Sequence, residues 1–433
     1  MKERIHGWGR FPVVEAEVAE FETKERLRGV FAKQGPSLAR ALGRSYGDAS
    51  LSPRVVSTLR YERILDFSPD TGVVRCEAGM SLAELVEVFL PRGWFLHVTP
   101  GTRFVSVGGA VASDVHGKNH HKAGCFSSGV RSLSLMLADG TVVRCSREEN
   151  PELFRATCGG MGLTGVILDV ELTLVPVASS VIRQRIYKAA NLGEVFSLFE
   201  QCADWTYSVA WIDCLAKGDD LGRSLLMVGE HAVEGDLSVS GNRGIAVPID
   251  FPSAALNRFT VSMFNRLYYE RIRRPMVEGD VGYDSFFYPL DVVCDWNRMY
   301  GRRGFLQYQF VAPLAHSHEV LSEVLRRVAD AGRGSFLAVL KLFGPANDNY
   351  LSFPMEGYTL CLDFKADNAV FGLLRTLDRL VAEAGGRLYL TKDARMSRDM
   401  FHGTYPGHGE FARVRKQWGG DAFSSLQSRR LGI

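Results

Sequence analysis

At 433 residues the chain is too long for one ordinary hydrophobic core, so two domains are expected. Its 46% hydrophobic and 23% charged residues exclude a disordered chain, and 51 Lys plus Arg against 49 Asp plus Glu leave no global field that would gather nucleic acid. No run approaches the ~20 apolar residues of a membrane span, the first residues lack an apolar leader core, and eight scattered cysteines form no C-x-x-C pair, which together predict reduced thiols and a cytoplasmic address.

In chain order, an extended piece from Ser37 to Leu42 runs into the loop Gly43-Arg-Ser-Tyr-Gly-Asp48. Val55 to Leu59 and Val73 to Glu77 read as strands. Ser81-Leu-Ala-Glu84 is a capping box that opens a helix, and Gly93 closes it. A second glycine-rich run spans Pro100 to His121. Asp139-Gly140, between Leu133 to Leu137 and Val142 to Cys145, signals a hairpin. A third glycine loop, Gly160-x-Gly162-x-x-Gly165, precedes Ile167 to Val175, whose alternating polarity is that of a half-buried strand.

This first part is a meandering α+β pattern without strict βαβ alternation. From about residue 179 the texture changes. The strands Val181 to Tyr187, Tyr207 to Asp213, Phe305 to Val311, Phe336 to Phe343 and Tyr358 to Phe364 alternate with helices after Asn191, after Ser317 and over 371–384. They predict an antiparallel sheet covered by helices on one face. Residues 236–284, rich in Gly, Pro, Asn and Arg, carry no pattern that places their course. Gly385-Gly386 ends a helix, Arg387 to Lys392 reads as a new strand, and the tail is short and helical.

Glycines let backbone N–H groups approach an anionic pyrophosphate with no Cβ in the way, and two such loops on neighbouring segments can hold a dinucleotide from both sides. The first loop opens no long amphipathic helix and the third precedes its strand, so neither is the Rossmann arrangement. A flavin dinucleotide is the expected ligand.

The motifs G-R-S-Y-G-D, P-G-T-R, V-G-G-A, H-G-K-N-H-H, G-G-x-G-L-T-G, A-W-x-D at 210–213, F-F-Y-P-L-D at 286–291, L-S-F-P at 351–354 and G-G-R-L-Y at 385–389, in that order, carry a resemblance. The chain resembles the FAD-dependent oxidoreductases of the vanillyl-alcohol oxidase (PCMH) type from about residue 30 to its end.

The resemblance implies a two-domain α+β flavoprotein: an FAD-binding domain over 1–178, a substrate domain over 179–386, and a segment 387–433 that returns to the first domain. It implies that Gly43, Arg44, Ser45, Tyr46, Gly47 and Asp48 cradle the FAD pyrophosphate. Gly101, Thr102, Ser106, Val107, Gly108, Gly109, Ser113, Asp114, Val115, His116 and Gly117 would line the dinucleotide and flavin. Gly162, Gly165 and Val166 would approach the nucleotide from the third loop, and Tyr389 would close the site. Many relatives bond FAD through a histidine two residues after the position of Tyr46, where this chain has Asp48, so non-covalent FAD is expected.

The implied reaction is oxidation of a secondary sugar hydroxyl, the 2′-OH of a polyprenyl-phosphate ribose, with a separate NAD(P)H-dependent reductase completing an epimerisation. Lys392 would position the hydroxyl, either as base or as electrostatic stabiliser, with His116 beside the flavin. Lys341 stands out from the residues themselves, because a charge in the apolar strand Phe336 to Phe343 needs a partner or a task. The resemblance places it in the sugar pocket with Tyr288, Gln309 and Cys361, and Lys118 at the substrate phosphate. Thr359 and Val209 replace polar residues of the relatives and remove polar reach from that pocket.

His116 and His120 stand at i, i+4, but Gly117 breaks the helix a metal pair would need and Lys118 adds repulsion, so no metal is expected. Residues 258–276 interleave aromatics with arginines, either as a solvated helix packing its apolar side on the second domain or as a contact to an anionic membrane surface. The alternatives are an aldonolactone or alditol oxidase acting on a soluble polyol, and a non-catalytic flavin-binding partner.

Overall fold

A computed structural model describes residues 2–239, 244–252 and 256–433. The amino-terminal part builds two sheets. In the first, Lys2–His6, Val13–Glu20, Arg54–Ser57 and Leu38–Arg40 lie in that order, the outer pair antiparallel and the others parallel. In the second, Ile64–Ser68, Val73–Glu77, Val166–Pro176, Val130–Met136 and Val142–Ser146 follow one another antiparallel, with Trp94–Leu96 also on Val166–Pro176.

Local chemistry explains the joints. Ser81 and Glu84 form the reciprocal capping box at the start of Leu82–Phe89, and Gly140 takes φ 83° in the hairpin while Asp139 Oδ1 accepts from the Thr141 N–H at 2.9 Å.

The larger part is an eight-stranded antiparallel sheet. Its order is Met276–Gly282, Val181–Ala189, Ser224–His231, Tyr207–Ile212, Ala338–Phe343, Gly357–Lys365, Phe305–Pro313 and Arg387–Leu388. Helices Leu192–Gln201, Ser317–Ala331 and Asn368–Glu383 cover one face, burying Leu321, Leu325, Leu340, Leu360, Leu362 and Leu374 in one cluster. Each such leucine contributes about 1.5–3 kcal/mol.

Successive side chains on a strand point to opposite faces. The residues between the buried leucines therefore emerge on the uncovered face: Val209 and Trp211, Gln307 and Gln309, Val339 and Lys341, and Cys361 all line one cavity there.

Two sequence expectations change. The strand read over Arg387 to Lys392 is only Arg387–Leu388, because the Lys392 N–H turns back to the Tyr389 carbonyl at 3.0 Å and puts Lys392 in a turn. The stretch 236–284 holds helix Arg258–Glu270 and the edge strand Met276–Gly282, while 240–243 and 253–255 lie outside the described residues. The tail touches both parts. Arg387–Leu388 extends the eight-stranded sheet, while the Leu426 N–H donates to Leu51 at 2.7 Å and Arg415 Nε to the Leu163 carbonyl at 3.2 Å.

Candidate active site

A cavity of about 690 Å³ separates the glycine loops from the uncovered sheet face. Its loop side is Gly43, Arg44, Ser45, Tyr46, Gly101, Thr102, Ser106, Gly108, Gly109, Ser113, Val115, Gly162 and Gly165. Helix Val107–Ala112 starts at Ser106, whose hydroxyl accepts from the Gly109 N–H at 3.1 Å. Gly101 opens onto space, since a Cβ there would meet no atom of the described residues within 4 Å. Arg44 is buried enough to lower its pKa, lies 4.0 Å from the Trp8 ring, and forms no ion pair among the described residues. A half-buried cation beside glycine-rich backbone suits a pyrophosphate.

Gly47, Asp48, Val107, Asp114, Gly117 and Val166, also expected around the dinucleotide, do not line the cavity. Gly47 packs on the tail, where a Cβ would stand 1.8 Å from the Asp393 carbonyl oxygen, and Gly117 packs on the Asn119 side chain and the Thr99 carbonyl. Val107 and Val166 are core side chains. Asp114, with φ 39°, accepts from the side chains of Asn347, Asn349 and Ser352 at 2.7–2.8 Å and braces the loop from behind. Tyr288 is also set back, its hydroxyl hydrogen-bonded to Thr99 at 2.7 Å.

Asp48 turns to the tail and pairs with Arg430 at 2.7 Å. A carboxylate locked there offers no bond to a flavin, so FAD is expected to leave with the supernatant on acid precipitation. Yellow colour retained in the denatured pellet would overturn this.

The groups with chemistry line the same cavity. His116 is buried. Gln309 Nε2 donates to its Nε2 at 3.0 Å, which leaves the proton on Nδ1, and Nδ1 is buried without a partner among the described residues. Burial first, then Lys341, His120 and Lys392, hold its pKa well below the usual histidine value, so the ring is neutral with a donor to spare. Tyr389 closes this end, its hydroxyl donating to the Ser113 carbonyl at 3.0 Å and its ring stacked on Phe353.

Lys118, Lys341 and Lys392 all line the cavity and form no ion pair among the described residues. Burial pushes them down to about 7, 8 and 8 respectively. Lys118 Nζ donates to the Phe287 carbonyl at 2.9 Å, and Lys392 Nζ sits 3.6 Å from the centre of the Tyr46 ring. Burial pushes the Cys361 thiol up to about 12, so it is a protonated wall residue. Thr359 spends its hydroxyl on the Phe310 carbonyl at 2.8 Å, and Val209 presents only methyls to the cavity.

Sequence reasoning missed a buried group behind Lys392. Asp363, fully buried, accepts from Gln307 Nε2 at 2.6 Å and from the Tyr300 hydroxyl at 3.3 Å, and burial pushes it up to about 7. Its signal was legible: an acid in the apolar strand Gly357–Lys365 makes the same demand as Lys341 in its own strand. Trp8, Tyr268 and Arg271 also reach the cavity, from elements no motif connects to it.

These features fit FAD: an open glycine cradle, a half-buried arginine with no ion pair among the described residues, and enclosed lysines around the same cavity. A family model described as FAD binding domain matches residues 21–146. The chain is 36% identical over 452 residues to decaprenylphosphoryl-beta-D-ribose oxidase of Mycolicibacterium smegmatis, covering 99% of this chain and 97% of the relative. It is 34% identical to an uncharacterized protein in the mprA 5′ region of Streptomyces coelicolor, over 82% of this chain and all of that one. Mouse L-gulonolactone oxidase matches locally, at 35% identity over 27% of this chain. FAD is the cofactor, and the enzyme oxidises CH–OH groups. The chain belongs to the PCMH-type FAD-dependent oxidoreductases, in the family of decaprenylphosphoryl-β-D-ribose oxidase.

Proposed function

We propose that the site oxidises the 2′-hydroxyl of a ribose carried on a polyprenyl phosphate to the ketone, and that a separate NAD(P)H-dependent reductase consumes this product to complete an epimerisation. The observation that carries the reading is three largely enclosed lysines that form no ion pair among the described residues, around a cavity with Ile186, Val209, Trp211, Met227 and Val281 as an apolar wall. Enclosed cations in excess of the acids beside them ask for an anion, and the apolar wall suits a hydrocarbon chain. The name of the M. smegmatis relative supports a lipid-linked sugar phosphate.

Bound FAD supplies the acceptor for the hydride that leaves the carbinol carbon. The chain supplies charge and position. Lys392 holds the hydroxyl and stabilises the negative charge that grows on its oxygen as the proton passes to solvent water. The neutral His116 accepts from Gln309 and holds it in place, Lys341 and Gln309 meet the remaining sugar hydroxyls, and Lys118 meets the phosphate. A polyprenyl substrate puts the protein at a membrane surface as a peripheral protein. No described helix is long and apolar enough to cross a membrane.

Anaerobic titration tests the reading. A polyprenyl-phosphoryl ribose is expected to bleach the flavin, while free pentitols and aldonolactones leave it oxidised. Bleaching by the soluble polyol alone would make the protein an alditol or aldonolactone oxidase. A flavin that no alcohol bleaches would make it a non-catalytic binding partner.

A further inference from the structure

Helix Arg258–Glu270 is apolar on two opposite sides. Val261 and Tyr269 face inward with Asn265, whose Nδ2 donates to Asp213 Oδ1 at 2.8 Å, while the Tyr269 hydroxyl donates to the Ala189 carbonyl at 3.1 Å. This row packs the helix on the eight-stranded sheet. Phe259, Met263 and Leu267 form a second row at the same four-residue spacing, two residues out of step and hence ~160° around the axis. Their exposures are 70%, 48% and 66%, and Phe264 beside them is 43% exposed.

A surface helix of a globular protein keeps its apolar residues on one stripe. A second stripe opposite the first, uncovered among the described residues, costs hydrophobic free energy until something covers it.

The charges around the row name the occupant. Arg258, Arg266, Arg271, Arg273 and Arg274 lie on the helix or directly after it and are exposed. The one acid of the helix, Glu270, is paired with Lys188 at 3.0 Å. The whole chain carries a formal net charge of only +2, so this cationic density is local. An apolar row flanked by arginines matches the boundary of an anionic bilayer, where hydrocarbon lies below phosphate. The helix and the residue that caps it reach the catalytic cavity, where Tyr268 and Arg271 line it.

We infer that helix Arg258–Glu270 docks the protein on an anionic lipid surface, with Phe259, Met263 and Leu267 entering the headgroup boundary and the arginines meeting phosphates, so that the cavity mouth faces the bilayer. The purpose of this contact rests on the lipid-linked substrate proposed above. The contact itself does not, and its test contains no sugar.

The holoenzyme is floated with vesicles of phosphatidylcholine alone and of an equal mixture with phosphatidylglycerol. Wild type is expected to float with the anionic vesicles and to remain at the bottom with the neutral ones. Arg273→Glu with Arg274→Glu is expected to lower binding at least about thirtyfold, and Phe259→Ser with Leu267→Ser about tenfold or more. Unchanged flavin absorbance in both variants shows the fold intact. Equal flotation of wild type and variants, or no flotation of wild type, overturns the inference. So does a concentration-dependent dimer in sedimentation that Phe259→Ser with Leu267→Ser dissolves, which would assign the row to a second copy of the chain.

Discussion

Lys392→Met is expected to slow reduction of the bound flavin by substrate by about 10²–10³-fold, the loss seen when one donor to a developing oxyanion is removed. Methionine keeps the volume and apolar stem of lysine, so the fold and FAD content should be unchanged. The wild-type ammonium sits on the Tyr46 ring face, where the charged form is favoured, and burial lowers it to about 8. Because the charged form is the useful one, the ratio of the reduction rate constant to substrate dissociation constant should be level at neutral pH and fall as pH rises through about 8. A profile that instead rises through that value would make Lys392 the base. Stability follows the opposite sign. A lysine whose folded pKa lies below its ordinary 10.5 binds fewer protons folded than unfolded between the two values, so this group makes the protein more stable as pH rises through that window. Removing the buried charge should leave Lys392→Met no less stable than wild type at neutral pH, and a urea titration of both checks it.

The parts of this site set by local rules were readable in the chain. Gly43, Gly101 and Gly109 declare themselves because only glycine keeps backbone free for a phosphate, and Lys341 declares itself because a charge in an apolar strand needs a reason. What failed was the direction each loop residue faces. Gly47 and Asp48 belong to the same loop as Gly43 to Tyr46, yet they face the tail, and no periodicity marks where an irregular loop turns over. Val107 follows a correct cap and then points inward because its helix packs on the second sheet.

The fold class was legible from alternation, but sheet order was not. Tyr207–Ile212 lies beside Ala338–Phe343 across more than a hundred residues, and only that pairing puts Trp211 and Lys341 on one wall. Asp363 was legible as an acid in an apolar strand, but its partner Gln307 was not, because it lies opposite on the neighbouring strand. The turn that carries Lys392 was read as strand because Arg387 to Lys392 has strand composition, while Thr391 accepts from the Tyr46 N–H at 2.9 Å through its carbonyl and leaves the sheet.

Arg430→Met is expected to cost about 3–5 kcal/mol of stability, the loss incurred when one partner of a buried ion pair is removed. Arg430 Nη2 meets Asp48 Oδ1 at 2.7 Å and Asp393 Oδ2 at 2.9 Å, while its Nε meets Asp48 Oδ2 at 3.1 Å. The two carboxylates are 5% and 4% exposed, and the arginine 25%. Without it both acids remain buried beside each other. Burial already raises Asp48 despite Arg430, so its loss should raise it further. An acid whose folded pKa is raised destabilises above that value and less below it, so the deficit of Arg430→Met should shrink as pH falls toward the carboxylate range. Neutralising the pair as well, with Asp48→Asn and Asp393→Asn, should recover most of the loss, because the cost lies in uncompensated charge. Urea unfolding of the three proteins at neutral and mildly acid pH separates the possibilities. A deficit under about 1 kcal/mol, typical of an exposed pair, would mean that Arg430 does not bind the tail to the glycine loop. The effect should reach the cofactor, because Tyr46 hangs from Thr391 and Gly47 lies against Asp393 on the same stretch that carries Lys392. Loosening that stretch moves both walls of the flavin site at once, so Arg430→Met should bind FAD more weakly, although Arg430 does not line the cavity.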